Sequence, residues 1–163
     1  GLAPKVMLAS GVPITAQSLG IMLCGTVLGA KRGALAVLLF ITLTALGLPL
    51  LSGGRGGLGV FASPSVGFIV GFPLAAFVAG WITSRLKLIN VFYSSLLGAI
   101  IGGVLILYIP GIVGMSIMLD KSISEAALIA LIYLPGDCIK AFLCAMLTHT
   151  LFKLRPENVL SRI

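Results

Sequence analysis

Charge is scarce in this chain. Asp, Glu, Lys and Arg make up 9% of its 163 residues, where a soluble domain carries roughly 25%. A water-facing surface cannot be built from so few ionisable groups, so hydrocarbon is the solvent that suits this composition. Acids are the scarcest: four Asp and Glu stand against eleven Lys and Arg, for a net charge of +7. A paired-carboxylate catalytic centre has little to draw on, and no Ser–His–Asp arrangement stands out, so the chain does not read as an enzyme. Histidine occurs once, as His149, with no Cys, Asp or Glu at ligand spacing, which argues against a metal site. The three cysteines, Cys24, Cys138 and Cys144, lie inside apolar runs without zinc-type spacing and read as small buried apolar residues. Aromatics are few, at 7%, and do not interleave with basic residues, so nucleic acid is excluded as a partner despite the positive charge. A Walker pattern is absent, which leaves the chain without an ATP site of its own. No signal peptide is visible.

Hydrophobic residues and glycine fill the space that charge leaves. They amount to 59% and 21 residues respectively, a combination typical of closely packed membrane helices. A transmembrane helix needs about 20 mainly apolar residues. Five such runs are present, at 14–30, 34–51, 65–84, 91–109 and 126–154. The second and third are joined by a loop, Ser52-Gly53-Gly54-Arg55-Gly56-Gly57-Leu58-Gly59, and the fourth and fifth by residues 110–125, which carry Asp120 and Lys121.

Basic residues sort by loop. Lys31, Arg32, Arg85, Lys87, Lys153, Arg155 and Arg162 fall on one set of ends, against Lys5, Arg55 and Lys121 on the other. Seven against three, alternating across all five runs, places the first set and the C-terminus in the cytoplasm by the positive-inside rule. Residues 1–10 look like a hairpin connection, and a further helix is expected ahead of Gly1. The expected fold is an all-α integral membrane protein, one transmembrane domain over 1–163, built as a bundle of about six helices. Small residues four apart, Gly25 and Gly29, Gly67 and Gly71, Gly98 and Gly102, mark where helix backbones approach closely in lipid.

Three segments carry chemistry. The first is Tyr133-Leu134-Pro135-Gly136-Asp137-Cys138-Ile139-Lys140, within the fifth run. Asp137 and Lys140 are three apart and share a helix face. Ionised groups at membrane depth cost about 2.5–3.5 kcal/mol each, so they face an interior or a cavity and are functional candidates. Pro135 and Gly136 interrupt the helix beside them, and irregular backbone at depth is tolerated where it lines a cavity. A structural ion pair with a helix kink is the alternative. The second segment is the glycine-rich loop, where Arg55 offers a planar fork suited to a carboxylate or phosphate; a solvated arginine on a flexible loop is the alternative. The third is Gln17, whose amide both donates and accepts, or is simply a half-buried structural amide.

Together these segments resemble a known family. The run VPITAQSLGIML, the glycines spaced by four before Lys31-Arg32-Gly33, GLPLLSGGRGGLGVF and the late PGDCIK are similar to BioY, the biotin-binding substrate subunits of energy-coupling-factor transporters. The similarity runs from residue 12 to about residue 152. It implies six helices, the first of them largely missing here, and biotin bound near the outer face. It implies as partners a transmembrane coupling protein and two ATP-binding cassette ATPases, with biotin as transported ligand rather than cofactor. Biotin's ureido group has two N–H donors and one acceptor, which match Asp137 and Lys140, with Gln17 assisting. Arg55 is then placed to pair with the valerate carboxylate or to close a lid over it, and Phe61, Tyr93 and Tyr133 to cover the ring. Another vitamin or small carboxylated solute, or a non-transport membrane subunit, are the competing readings.

Overall fold

The computed structural model describes residues 6–7 and 13–163, with side chains from residue 15 onward. Each apolar run becomes one helical rod. The rods are α1 (Gln17–Leu28), α2 (Ala30–Ala45), α3 (Val66–Arg85), α4 continuing into α5 (Val91–Ile100 and Leu107–Leu119), and α6 with α7 (Ile123–Leu131 and Leu134–Leu154). The expected connection over 1–10 lies mostly outside the described residues, as does Lys5. Of it only Val6–Met7 is described, in a two-residue antiparallel ladder with Pro13–Ile14.

The boundaries differ from the runs in four places. α1 has 12 residues, a rise of about 18 Å, too short to cross the hydrocarbon layer alone. It ends at Gly29, whose φ of 84° suits a residue without Cβ, and α2 begins at the next residue. Gly29 is therefore the turn between two helices, and Lys31 and Arg32 lie in the first turn of α2. The fourth rod does not stop at residue 109. It runs 29 residues from Val91 to Leu119, about 43 Å, through a π-helical segment at Ile101–Ile106 and through Pro110. The expected 16-residue loop shrinks to 120–122, where Asp120 adopts a left-handed conformation (φ 51°). The fifth run starts earlier, at a Ser122–Glu125 capping box, and breaks at 132–133, where α6 and α7 are bent 55° apart.

Packing follows the logic of lipid rather than water. Ala75, Ala76, Ala79, Ala99, Ala126, Ala130, Ala141 and Ala145 are completely buried, while Leu35, Leu39, Val70, Trp81, Leu105 and Ile139 are exposed around the outside. Small side chains let backbones approach, and large ones face the acyl chains. α3 is the central rod, packed against α1, α2, α4 and α5. A Cβ on Gly98 or Gly102 would stand 2.5 Å from the carbonyl of Ala79 or Ala75, and one on Gly71 2.6 Å from Pro110. Those expected close approaches are real; Gly25 likewise faces the Ala76 carbonyl.

At one end of the bundle the C-terminal residues fold back. Ser161 N–H donates to Val27 O at 3.1 Å, and Arg162 donates to the carbonyls of Leu86 (2.9 Å) and Ile89 (3.0 Å). Arg85, Lys87, Lys153 and Arg155 gather at this same end, while the 51–55 turn and the start of α7 lie at the other.

Candidate functional site

α7 begins with Leu134 after the break, and Pro135 occupies its first turn. A proline there removes a backbone donor that would otherwise lack a partner. Asp137 follows, its N–H bonded to Tyr133 O at 3.0 Å. A carboxylate in the first turn is favoured by the positive end of the helix dipole. The break expected at Pro135-Gly136 falls instead at 132–133, with both residues in the first turn of α7, and it does two jobs. It ends the preceding helix and seats an acid where its charge is best tolerated.

Asp137 is 6% exposed and accepts three side-chain hydrogen bonds. Lys140 Nζ donates to Oδ1 at 2.8 Å, Ser18 Oγ donates to Oδ1 at 2.9 Å, and Tyr108 O–H donates to Oδ2 at 2.8 Å. Lys140 Nζ also donates to Ser18 Oγ at 3.1 Å. A buried charge is tolerable only when paired and hydrogen-bonded, and this carboxylate is both. Four residues from α1, α5 and α7 thus form one polar cluster inside the bundle.

The cluster borders a cavity of about 120 Å³. Phe68, Ile69 and Phe72 of α3, Leu107 of α5, and Ile132 and Tyr133 at the α6–α7 break form its apolar wall, and Leu51 and Arg55 close it on the loop side. Thr15, Gln17, Ser18, Ser65, Gly136, Asp137 and Lys140 supply polar surface. Gln17 Oε1 accepts from Thr15 Oγ1 at 3.4 Å, while its Nε2 is buried with no hydrogen-bond partner among the described residues. An amide N–H left bare in a cavity wall is a donor ready for an acceptor on a bound molecule.

Arg55 is held by a tight turn. Leu51 and Arg55 exchange backbone hydrogen bonds at 3.0 and 3.2 Å, and Gly53 and Gly54 between them have φ of 77° and 69°. Two successive left-handed residues explain the glycine pair. Arg55 Nε donates to Ser52 O at 3.4 Å. No acidic residue pairs with Arg55 among the described residues, whose ion pairs are Lys140–Asp137 and Arg155–Glu157.

Of the seven residues expected at a binding site, the structure brings Asp137, Lys140, Arg55, Gln17 and Tyr133 to one cavity. It does not bring Phe61 or Tyr93. Phe61 lies on the short 3₁₀ segment Leu58–Ala62 and packs against the buried cluster that includes Leu51 and Val60, and it is not part of the cavity lining. Tyr93 is 59% exposed at the far end of α4, edge-on to Phe92. It sits in the first turn of α4, close to Asn90, so the length of that rod separates it from the cavity. The aromatic wall comes instead from Phe68 and Phe72. Sequence reasoning also missed Ser18 and Tyr108. A hydroxyl in an apolar run was the available signal for both, but neither has a local partner.

The chain matches the model of the BioY family over residues 2–157. It is 44% identical to a biotin transporter BioY of Rhodobacter capsulatus, over 99% of this chain and 90% of that protein. It is 47% identical to a biotin transporter BioY of Rhizobium etli, over 90% of this chain and 82% of that one. Among solved structures it superposes with a TM-score of 0.87 on the S-component for biotin from an ECF-type ABC transporter. That match is 30% identical and covers 93% of this chain and 82% of the other.

Proposed function

The chain belongs to the BioY family, and from that premise we propose that it captures biotin in the membrane and delivers it for uptake. It is a transport subunit rather than an enzyme, and it works with a transmembrane coupling protein and two ATP-binding cassette ATPases. It crosses the cell membrane several times, with the cavity toward the outer face and the C-terminus in the cytoplasm. The basic residues collected at the end opposite the cavity support that orientation.

The observation that carries this reading is a buried carboxylate, held by three side-chain hydrogen bonds, in the wall of an apolar, aromatic-lined cavity. Biotin is an apolar bicycle with a ureido group at one end and a carboxylate at the other. Asp137 accepts from a ureido N–H, and Lys140 or Gln17 Nε2 donates to the ureido oxygen. Phe68, Phe72 and Tyr133 cover the ring system. Arg55, at the loop side and without an acidic partner among the described residues, receives the valerate carboxylate.

Calorimetric titration of the detergent-solubilised protein tests the proposal. Biotin and desthiobiotin are expected to bind, and riboflavin and thiamine to give no heat. Binding of another vitamin in place of biotin would keep the architecture and replace the ligand. No binding at all would favour a membrane subunit without a transport role.

A further inference from the structure

The two oxygens of Asp137 face different surroundings. Oδ1 is bonded to Ser18 and Lys140, which both line the cavity. Oδ2 is bonded to Tyr108, which does not line the cavity and is 8% exposed behind its wall. The Tyr108 ring is fixed edge-on against Phe68, with centroids 5.9 Å apart and planes at 89°, and Phe68 is part of the cavity wall. One contact of Tyr108 therefore sets the carboxylate and another supports the aromatic wall.

Tyr108 owes its direction to the π-helical segment just before it. The row of the fourth rod that meets α3 is Gly98, Gly102, Leu107, Pro110 and Gly114. Gly98 and Gly102 lie against the carbonyls of Ala79 and Ala75, Leu107 and Pro110 against Gly71, and Gly114 against Gly67. The step from 102 to 107 is five residues, where a regular α-helix would use three or four. The π segment at Ile101–Ile106 supplies the extra residue, and such insertions recur at functional sites. Successive residues on a helix turn about 100°. With Leu107 against α3, Tyr108 is turned one residue further round, toward α7 and Asp137. In an unbroken α-helix Ile106 would take the α3-facing place, and Tyr108 would be turned one residue too far.

We propose that Tyr108 is a positioning residue for ligand specificity: it never touches the ligand, but its hydroxyl fixes the plane of the Asp137 carboxylate in the cavity wall, and with it the acceptor that Asp137 offers the ligand. This rests on the reading of Asp137 as the acceptor of a ureido N–H. A carboxylate has about four acceptor positions, and three are occupied here. Ser18 and Lys140 hold the two on Oδ1 and Tyr108 holds one on Oδ2, so the free position is on Oδ2 and the Tyr108 bond fixes its direction. The ligand then meets an acceptor already oriented, and no rotamer freedom is lost on binding.

A double-mutant cycle on the full chain in detergent tests this. The variants are Tyr108→Phe, Asp137→Asn and the pair, with biotin affinity by titration and thermal midpoint as readouts. Tyr108→Phe in the parent is expected to weaken biotin about tenfold, as for one oriented charge-assisted bond. In the Asp137→Asn background the same change is expected to cost less than about twofold, because the group it positions has gone. Equal losses in both backgrounds, or a Tyr108→Phe protein that does not fold, would make the hydroxyl a structural bond and overturn the assignment. Undiminished binding by a folded Tyr108→Phe would overturn it as well. A parent protein that does not bind biotin would remove the proposed function together with this inference, whereas a binding parent with additive losses removes this inference alone.

Discussion

The hydroxyl of Ser18 donates to Oδ1 of Asp137 at 2.9 Å, joining residues 119 positions apart in the chain. The bond ties the first described helix to the last. It also makes Ser18 the bridge between Asp137 and Lys140, since Lys140 Nζ reaches both. A salt bridge between neighbours on one helix is thereby drawn into the cavity wall.

Asp137 and Lys140 are expected to read the ligand rather than merely pair. Asp137→Asn retains size but replaces half of the acceptor capacity with a donor. It is expected to weaken biotin by roughly ten- to hundredfold, at about 1.4 kcal/mol per factor of ten. The double change Asp137→Leu with Lys140→Leu removes both charges together, which a purely structural pair tolerates. That protein is expected to fold and fail to bind in a detergent titration. Near-normal binding by the folded double variant would take the pair out of the site.

Arg55 is expected to act through charge on a carboxylate. Arg55→Ala should weaken biotin by about tenfold and biotin methyl ester by much less, since a hydrogen bond to a charged group is worth roughly 1.5–3 kcal/mol and one to a neutral group less. Competition binding with the two ligands compares them directly. Equal losses for both would reject the carboxylate role.

Two glycines in the bundle should respond oppositely to alanine. A Cβ on Gly67 would run into the Pro110 carbonyl, whereas one on Gly20 meets nothing within 4 Å. Gly67→Ala is expected to cost about 1–3 kcal/mol by overpacking. Gly20→Ala is expected to gain up to about 1 kcal/mol from helix propensity. Thermal midpoints of the two purified variants decide the point, and shifts in the same direction would contradict the packing described for α3 and α5.

Sidedness is testable with single cysteines in a background lacking Cys24, Cys138 and Cys144, of which Cys138 is exposed. Leu58, at the cavity end and 74% exposed, and Leu88, just beyond Arg85 and fully exposed, are suitable positions. An impermeant thiol reagent applied to intact cells is expected to label Leu58→Cys and spare Leu88→Cys. The reverse pattern would invert the topology.

The amino-acid sequence by itself determined the solvent, the number of rods and their alternation, because those depend on composition and on charge at the ends of apolar runs. It also determined the Asp137–Lys140 pair, because a spacing of three places two side chains together on any helix. The cavity was decided only in three dimensions. Ser18 and Tyr108 meet Asp137 because three rods converge there, and no local pattern announces partners 119 and 29 positions away. Tyr93 and Phe61 showed the converse: both are aromatic, but Tyr93 lies at the far end of its rod and Phe61 packs into the neighbouring core rather than the cavity lining. The π-helical step at Ile101–Ile106 is the clearest case. One extra residue in a turn rotates everything after it by about 100°. That rotation is settled by how closely glycine and alanine let the fourth rod approach α3, which is a property of the pair of helices and not of either sequence alone.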